Sequence, residues 1–189
     1  MKKHKNIILT SLLSILIICS CASKKATVKA VGDKEITIPC SDFRTDKDYF
    51  RSSGIGTSKD LSNSVKQAEV KTKASLAGII ETKIKEVSKI YTIDRKIDGE
   101  SDFSEKFQNE TRSVVNNTLK DLSTICKKTT QKTDGTYNTF IAYECSKDVI
   151  YNGIKKTLSN DQKLRQDYDE MKFKEVFDQE MEKLEKEQP

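Results

Sequence analysis

The residues with the clearest chemistry in this sequence are its five cysteines. Cys21 closes the motif Ile18-Cys19-Ser20-Cys21, in which an aliphatic residue and two small residues precede a cysteine. This arrangement is typical of the site at which bacterial lipoprotein precursors are acylated, and Cys19 fits it less well because the large Ile18 directly precedes it. We therefore expect acyl chains such as palmitate on Cys21. Each buried CH₂ group of such chains contributes ~0.8 kcal/mol, so several chains on one cysteine anchor a protein stably.

The segment before this motif has the composition of an export signal. Residues 1–5 carry three lysines, and residues 6–18 are nearly all apolar but too few to span a membrane stably. We predict a signal peptide at residues 1–20, with cleavage but no lipidation as the alternative. Without the three signal lysines, 31 basic residues stand against 29 acidic ones, so the net charge falls to about +2. No basic block interleaved with aromatic residues remains, which gives nucleic-acid binding little support.

Residues 21–33 are small, polar and lysine-bearing, which predicts a flexible tether between the lipid and a folded domain. They lack the acidic run after the lipidated cysteine that some bacteria use as a surface-export signal. We therefore expect an outer-membrane protein that faces the periplasm.

The other three cysteines favour a structural disulfide. Cys40, Cys126 and Cys145 have no close metal-ligand spacing, and an exported chain meets an oxidising compartment. Cys126 and Cys145 lie on the two arms of a β-hairpin predicted around Asp134-Gly135. If residues 134–137 form the loop, the two cysteines are directly opposite; if Asp134-Gly135 alone makes the turn, they are diagonal and harder to bridge. We predict a Cys126–Cys145 disulfide, with Cys40 free or buried.

Other catalytic chemistry finds little support. The single histidine, His4, lies in the predicted signal, so the mature chain has none for triad catalysis, metal binding or pH switching. Gly54 and Gly56 begin like a dinucleotide-binding motif, but Lys59 stands where the third glycine belongs. Carboxylates are numerous, yet most lie on charged helix faces, where a solvated surface is the ordinary explanation. We expect no enzyme, no metal and no cofactor.

One strand followed by one long helix dominates the predicted architecture. Residues 50–56 suit a strand whose glycines let another backbone approach. Residues 57–60, Thr-Ser-Lys-Asp, have the form of a capping box. The helix that follows, of roughly 30 residues, carries a single apolar stripe. Its members are Leu61, Val65, Ala68, Thr72, Leu76, Ile79 or Ile80, Ile84, Val87 and Tyr91.

The remaining elements complete an α+β fold. A short strand is predicted at residues 35–38, a second helix from residue 101, the hairpin at residues 123–145 and a third helix from residue 146. The third helix is predicted to bury Val149, Ile150, Ile154 and Leu158. A three-stranded antiparallel sheet with the long helix across one face satisfies this order with short connections. We place this core domain at residues 34–160.

Residues 161–189 are predicted to form a separate C-terminal amphipathic helix. Glu170 with Lys174 and Glu182 with Lys186 have the four-residue spacing of helix ion pairs. The first half of its apolar stripe is expected to pack on the core domain. Phe177, Met181 and Leu184, in the second half, are predicted to bind a partner or a second copy of the chain.

The run Phe50-Arg51-Ser52-Ser53-Gly54-Ile55-Gly56-Thr57-Ser58-Lys59-Asp60-Leu61 resembles the corresponding segment of the twenty-kilodalton outer-membrane lipoprotein family, the LPP-twenty lipoproteins. The similarity spans residues 35–158. It implies a β-α-β-β core of dodecin-like shape and supplies no catalytic residues.

These observations lead to three ranked hypotheses. The first is a lipid-anchored structural or protein-interaction module of the cell envelope. The second is a module that binds a small apolar ligand between sheet and helices. The third is a hydrolase that uses a pair of carboxylates.

Overall fold

The computed structural model describes residues 36–95, 100–162 and 164–187, which form three strands and five helices. In chain order they are β1 (Tyr49–Ser58), α1 (Leu61–Arg95), α2 (Glu100–Thr118), β2 (Ser123–Gln131), β3 (Tyr137–Ser146), α3 (Lys147–Asn160), α4 (Leu164–Asp167) and α5 (Glu170–Glu187). The strands form one antiparallel sheet in the order β1-β3-β2, so β3 is central. The predicted α+β class and the three-stranded antiparallel sheet are confirmed.

The β2–β3 hairpin closes through a five-residue loop. Gln131 pairs with Tyr137, and the Lys132 amide donates to the Thr136 carbonyl at 2.8 Å. Gly135 has a φ of 82°, a left-handed conformation that glycine adopts without steric cost. The loop is longer than either predicted turn, which changes the register of every residue on β2 relative to β3.

Close contact between β1 and α1 positions the long helix across the sheet. A Cβ atom at Gly56 would overlap the Ser64 carbonyl and the Ala68 amide, and one at Gly54 would meet the Thr72 hydroxyl. Ser64, Ala68 and Thr72 are fully buried in this contact. The glycines therefore do allow close backbone approach, as predicted.

The residue that caps the start of α1 differs from the predicted one. Thr57 and Ser58 still belong to β1, because β3 pairs with that strand to its end. Asp60 caps the helix instead, accepting a hydrogen bond from the Asn63 amide at 2.7 Å. The Ser58 hydroxyl accepts from the Asp60 amide at 3.1 Å, so the chain turns between strand and helix.

Aromatic side chains fill the space where four of the helices meet. The ring of Phe173 on α5 lies 5.7–6.0 Å from four other rings. Those rings belong to Tyr91 of α1, Phe107 of α2, Tyr151 of α3 and Tyr168 before α5. Aromatic pairs at such distances contribute about 0.5–1.5 kcal/mol beyond their buried area. The C-terminal helix is thus part of the core.

The helices after residue 160 are not set apart from the core domain, since the described residues from 37 to 187 belong to one compact unit. The predicted single helix from residue 161 is also two helices. Asp169 interrupts it, capping α5 by accepting from the Lys172 amide at 3.0 Å. The Asp169 amide donates to the Tyr91 hydroxyl at 2.7 Å, which fixes the interruption against α1.

Three smaller predictions also fail. Residues 36–38 form no strand, while residue 35 lies outside the described residues. On α3, Val149 is 53% exposed and Tyr151 takes its place in the core. Of the two predicted ion pairs, Glu182 pairs with Lys186, but Glu170 pairs with Lys155 of α3.

Candidate functional site

A disulfide joins Cys40, in the irregular segment before β1, to Cys126 on β2. Their Cα atoms are 5.7 Å apart, and the bridge links residues 86 positions apart in the sequence. The predicted Cys126–Cys145 bond is therefore wrong. Cys40, predicted to be free or buried, is buried but bonded to Cys126. A cross-link over so long a stretch restricts the unfolded chain strongly and typically stabilises a fold by about 2–5 kcal/mol.

The register of the hairpin explains why Cys145 is not the partner. The five-residue loop places Cys126 opposite Ala142, three positions from Cys145. Side chains alternate between the faces of a sheet, so Cys126 and Cys145 lie on opposite faces. Cys145, paired with Phe50, is buried in the core, and burial raises the pKa of its thiol to about 11. A thiol so rarely ionised is a structural group, not a nucleophile.

A cluster of charged side chains holds the segment before β1 against the sheet. The Arg51 guanidinium donates to the carboxylate of Asp46 and, at 2.9 Å, to that of Glu144 on β3. Burial alone would raise the pKa of Asp46, but the hydrogen bonds from Arg51 and from two backbone amides outweigh it and lower that pKa. The cluster and the Cys40–Cys126 bond together fasten this segment at two points.

A small pocket of about 210 Å³, here called the α5 pocket, lies between α5, the start of α3 and the segment before β1. Its lining is Lys47, Lys147, Asp148, Phe177, Asp178, Met181, Glu182 and Glu185. Four carboxylates and two lysines surround two apolar side chains, so the pocket has an acidic rim and an apolar wall.

Lys147 is the unusual member of this pocket because it is only 4% exposed. Its Nζ donates to the Met181 carbonyl at 3.2 Å and lies 5.6 Å from the centre of the Phe50 ring. Burial lowers the pKa of Lys147, although the carboxylates of Glu185 and Asp46 oppose the shift. No ion pair within 4.0 Å neutralises this ammonium group among the residues that the structure describes.

The sequence contains a signal for Lys147, although this residue belongs to none of the motifs described above. Odd-numbered residues of β3, such as Ile141 and Cys145, face the core, and residue 147 continues that row. The Lys147 amide donates to the Asp48 carbonyl at 2.9 Å, which ties the start of α3 to the segment before β1. A lysine at a position where the alternation predicts a core-facing residue is notable, because the pKa of a buried lysine shifts readily.

The predicted partner-binding residues are covered by the chain itself. Phe177, Met181 and Leu184 are only 3%, 5% and 7% exposed. Phe177 and Met181 form the wall of the α5 pocket, whereas Leu184 packs toward Ile79 of α1. The prediction of an uncovered stripe is wrong because α1 and α3 leave enough apolar face for the whole length of α5.

The cavities bear on the other two hypotheses. Five cavities formed by the described residues are each lined by at most one aromatic side chain, unlike the pocket expected for an apolar ligand. The α5 pocket does gather carboxylates, but the hydrogen bond from Lys186 lowers the pKa of Glu182. A general acid needs the opposite shift, so Glu182 is unsuited to that role.

Cys21, the predicted signal peptide and the predicted tether all lie outside the described residues. Within residues 36–95, 100–162 and 164–187, no helix is long and apolar enough to cross a membrane. In the same ranges, no three Cys, Asp or Glu side chains are grouped as metal ligands.

Comparisons with protein-family models, with curated proteins and with solved structures found no match to this chain. The resemblance to the LPP-twenty lipoproteins therefore stays a prediction.

Proposed function

We propose that this protein is exported, is anchored by lipid on Cys21 to the outer membrane facing the periplasm, and acts there as a structural or protein-interaction module. The observation that carries the proposal is the Cys40–Cys126 disulfide. Disulfides form and persist in oxidising compartments such as the periplasm and are rare in the cytosol. The bond thus supports export independently of the N-terminal motif.

The position of the disulfide suits a tethered domain. Eighteen residues separate Cys21 from Cys40, a length that can span at most roughly 65 Å when fully extended. A force applied at the lipid anchor would act on the folded domain at Cys40. The disulfide would transmit that force to β2. The Arg51 cluster supports the same segment a few residues further on. A domain that must bear force from its anchor benefits from a covalent attachment at that point.

The proposal includes an envelope protein or a second copy of the chain as partner, but it no longer places that partner on Phe177, Met181 and Leu184. Those side chains already contribute to the core.

Fractionation of the native host tests the proposal. The wild-type protein is expected in the outer-membrane fraction, labelled by radioactive palmitate. Cys21→Ser should abolish the label and prevent anchoring through acylation. Cys19→Ser is the matched control, since it alters the neighbouring cysteine and should leave labelling and location unchanged.

Two results would contradict the proposal. One is an unlabelled wild-type protein that is recovered in the cytosol with free thiols at Cys40 and Cys126. The other is a Cys21→Ser protein that keeps both its label and its membrane location.

A further inference from the structure

Strand β2 is the least covered strand of the sheet. Its consecutive residues 127–131 are all exposed to solvent, whereas every residue of β3 is buried or half-buried. Because the strand order is β1-β3-β2, one side of β2 pairs with β3 and the other side is an edge of the sheet. Residues 127–131 are here called the free edge of β2. An exposed edge strand is a ready template for pairing with another extended chain.

The register of the hairpin fixes which peptide groups point outward from the free edge. The Lys132 amide donates to the Thr136 carbonyl, and successive residues of an antiparallel pair bond alternately toward and away from the opposite strand. Even-numbered residues of the free edge therefore bond to β3, whereas Lys127, Thr129 and Gln131 direct their N–H and C=O groups outward. Within the described ranges, no hydrogen bond joins these outward peptide groups to another part of the chain.

The other edge of the sheet is protected along the first half of β1. The Arg51 amide donates to the Thr45 hydroxyl at 2.9 Å, and the Tyr49 carbonyl accepts from the Asp46 amide at 3.0 Å. The segment before β1 thus occupies the outward peptide groups there. A partner strand finds more open donors and acceptors on β2.

The charge of the free edge favours an acidic partner. Lys127, Lys128 and Lys132 stand against Glu69 of α1 and Asp134 of the hairpin loop, which leaves the edge positive. Lys127 lies 3.9 Å from Glu69, so Lys128, the next residue, points to the face of the sheet away from α1. Among the described residues, Lys128 has no ion pair within 4.0 Å.

Two other occupants fit this charge poorly. A second copy of β2 would place its own Lys127 and Lys128 beside the same lysines, and like charges side by side in a sheet are destabilising. Residues 21–35, which precede the described part of the chain, carry four lysines and two carboxylates, so they are also basic.

We propose that the free edge of β2 binds an extended segment of an envelope protein as an additional strand, with an acidic side chain facing Lys128. This inference deepens the proposed protein-interaction role and rests on it. Backbone hydrogen bonds to the outward peptide groups supply affinity, and the lysine selects an acidic sequence.

Fluorescence anisotropy on the full chain, purified in detergent, tests this surface. The probe is a labelled ten-residue peptide of alternating threonine and glutamate, whose binding is expected and should weaken as salt is added. Two control peptides should not bind. One carries lysine in place of glutamate, and the other keeps its charge but is methylated on every backbone nitrogen, which removes the donors needed for strand pairing.

Lys128→Glu should weaken peptide binding by roughly tenfold, because an attraction becomes a repulsion. Lys89→Glu, at an exposed position of α1, changes the net charge equally and is the matched control. It should bind the peptide as wild type does.

Thr129→Pro tests the backbone of the edge. It removes an outward N–H that β3 does not use, and proline is tolerated in that orientation on an edge strand. Binding should fall by roughly tenfold. Thr129→Val is the control, since it also loses the 3.1 Å hydroxyl contact with Thr139 but keeps the N–H and should bind normally. Circular dichroism verifies that both variants fold, and the Lys128 pair tests the surface without a backbone change.

The proposal is overturned if the acidic peptide does not bind, if its N-methylated form binds as well, or if Lys128→Glu and Lys89→Glu bind equally. A wild-type dimer that Thr129→Pro dissociates would show that a second copy occupies the edge instead. None of these results bears on acylation of Cys21, so the docking surface and the proposed anchor fail separately.

Discussion

Lys147 is unusual because its charged side chain lies in the protein interior and not on the surface. A lysine ammonium group is almost never fully buried without a partner, because removal from water is costly. Here a carbonyl at 3.2 Å and an aromatic ring supply partial compensation. The fold therefore contains a buried charge at the contact between α3 and α5, beside a pocket with an acidic rim.

Replacing Lys147 with methionine should leave the protein as stable as wild type or more stable near pH 7. Methionine fills a similar volume without a charge to desolvate, and the Met181 carbonyl can still accept within its own helix. Because the folded-state pKa of Lys147 lies below its ordinary value, the wild-type protein gains stability from this residue as pH rises through the folded-state pKa toward about 10.5. Urea unfolding of both proteins from pH 7 to pH 10 measures this.

The advantage of Lys147→Met is expected to shrink as the pH rises. The carboxylates of Glu185, Asp46 and Asp48 face the ammonium group and oppose the lowering of its pKa, so the remaining effect is that of burial. A variant that is strongly destabilised at pH 7, or a difference that grows with pH, would show that the ammonium group stabilises the fold.

At the scale of elements, α5 is the clearest departure from the sequence prediction. The sequence predicts the apolar stripe of this helix correctly but predicts a partner outside the chain for its second half, where the chain's own core supplies the contact. Phe177 is 3% exposed, whereas Met171 on the same helix is 85% exposed. The two residues therefore form a matched pair for testing what the helix contributes.

Phe177→Ala should lower the free energy of unfolding by about 3–5 kcal/mol, because it opens a cavity in the core. Met171→Ala, at an exposed position, should change it by less than about 0.5 kcal/mol. Denaturant unfolding monitored by circular dichroism measures both. If Phe177→Ala leaves stability unchanged but weakens self-association, Phe177 belongs to an interface after all.

The disulfide is a second element-scale test. Non-reducing peptide mapping should recover Cys40 linked to Cys126 and Cys145 as a free thiol. Cys40→Ser should lower stability by about 2–5 kcal/mol, through the loss of a long-range cross-link. Cys145→Ser serves as the comparison, because it introduces a buried hydroxyl but breaks no bond. Recovery of a Cys126–Cys145 peptide would reverse the assignment.

The sequence predicted elements well and long-range pairings poorly, for identifiable reasons. Periodicity revealed β1, α1 and the hairpin because each pattern is local. The disulfide partner depended on hairpin register, and a loop of five residues moved Cys126 three positions from Cys145. Cys40 lies in a segment without regular structure, whose path over the sheet no periodicity encodes. The free edge of β2 likewise follows only from the strand order β1-β3-β2, which no local pattern encodes.

At the scale of the whole molecule, the disulfide at Cys40 fastens the segment before β1 to the sheet, and we propose that a lipidated Cys21 precedes it. The order β1, α1, β2, β3 is the β-α-β-β order that the family resemblance implies, with α2 placed between α1 and β2. The later helices complete the core and do not extend from it, since α5 packs on α1 and on α3. The described sheet and helices thus form one unit with an aromatic core, and the lipid anchor on Cys21 is our proposal for what holds this unit at the membrane.

The most direct test of this account is mass spectrometry of the mature N-terminus, on protein taken from the membranes of its native host. We predict that the mature chain begins at Cys21 and that this residue carries acyl chains. An unmodified N-terminus at any other residue would contradict it.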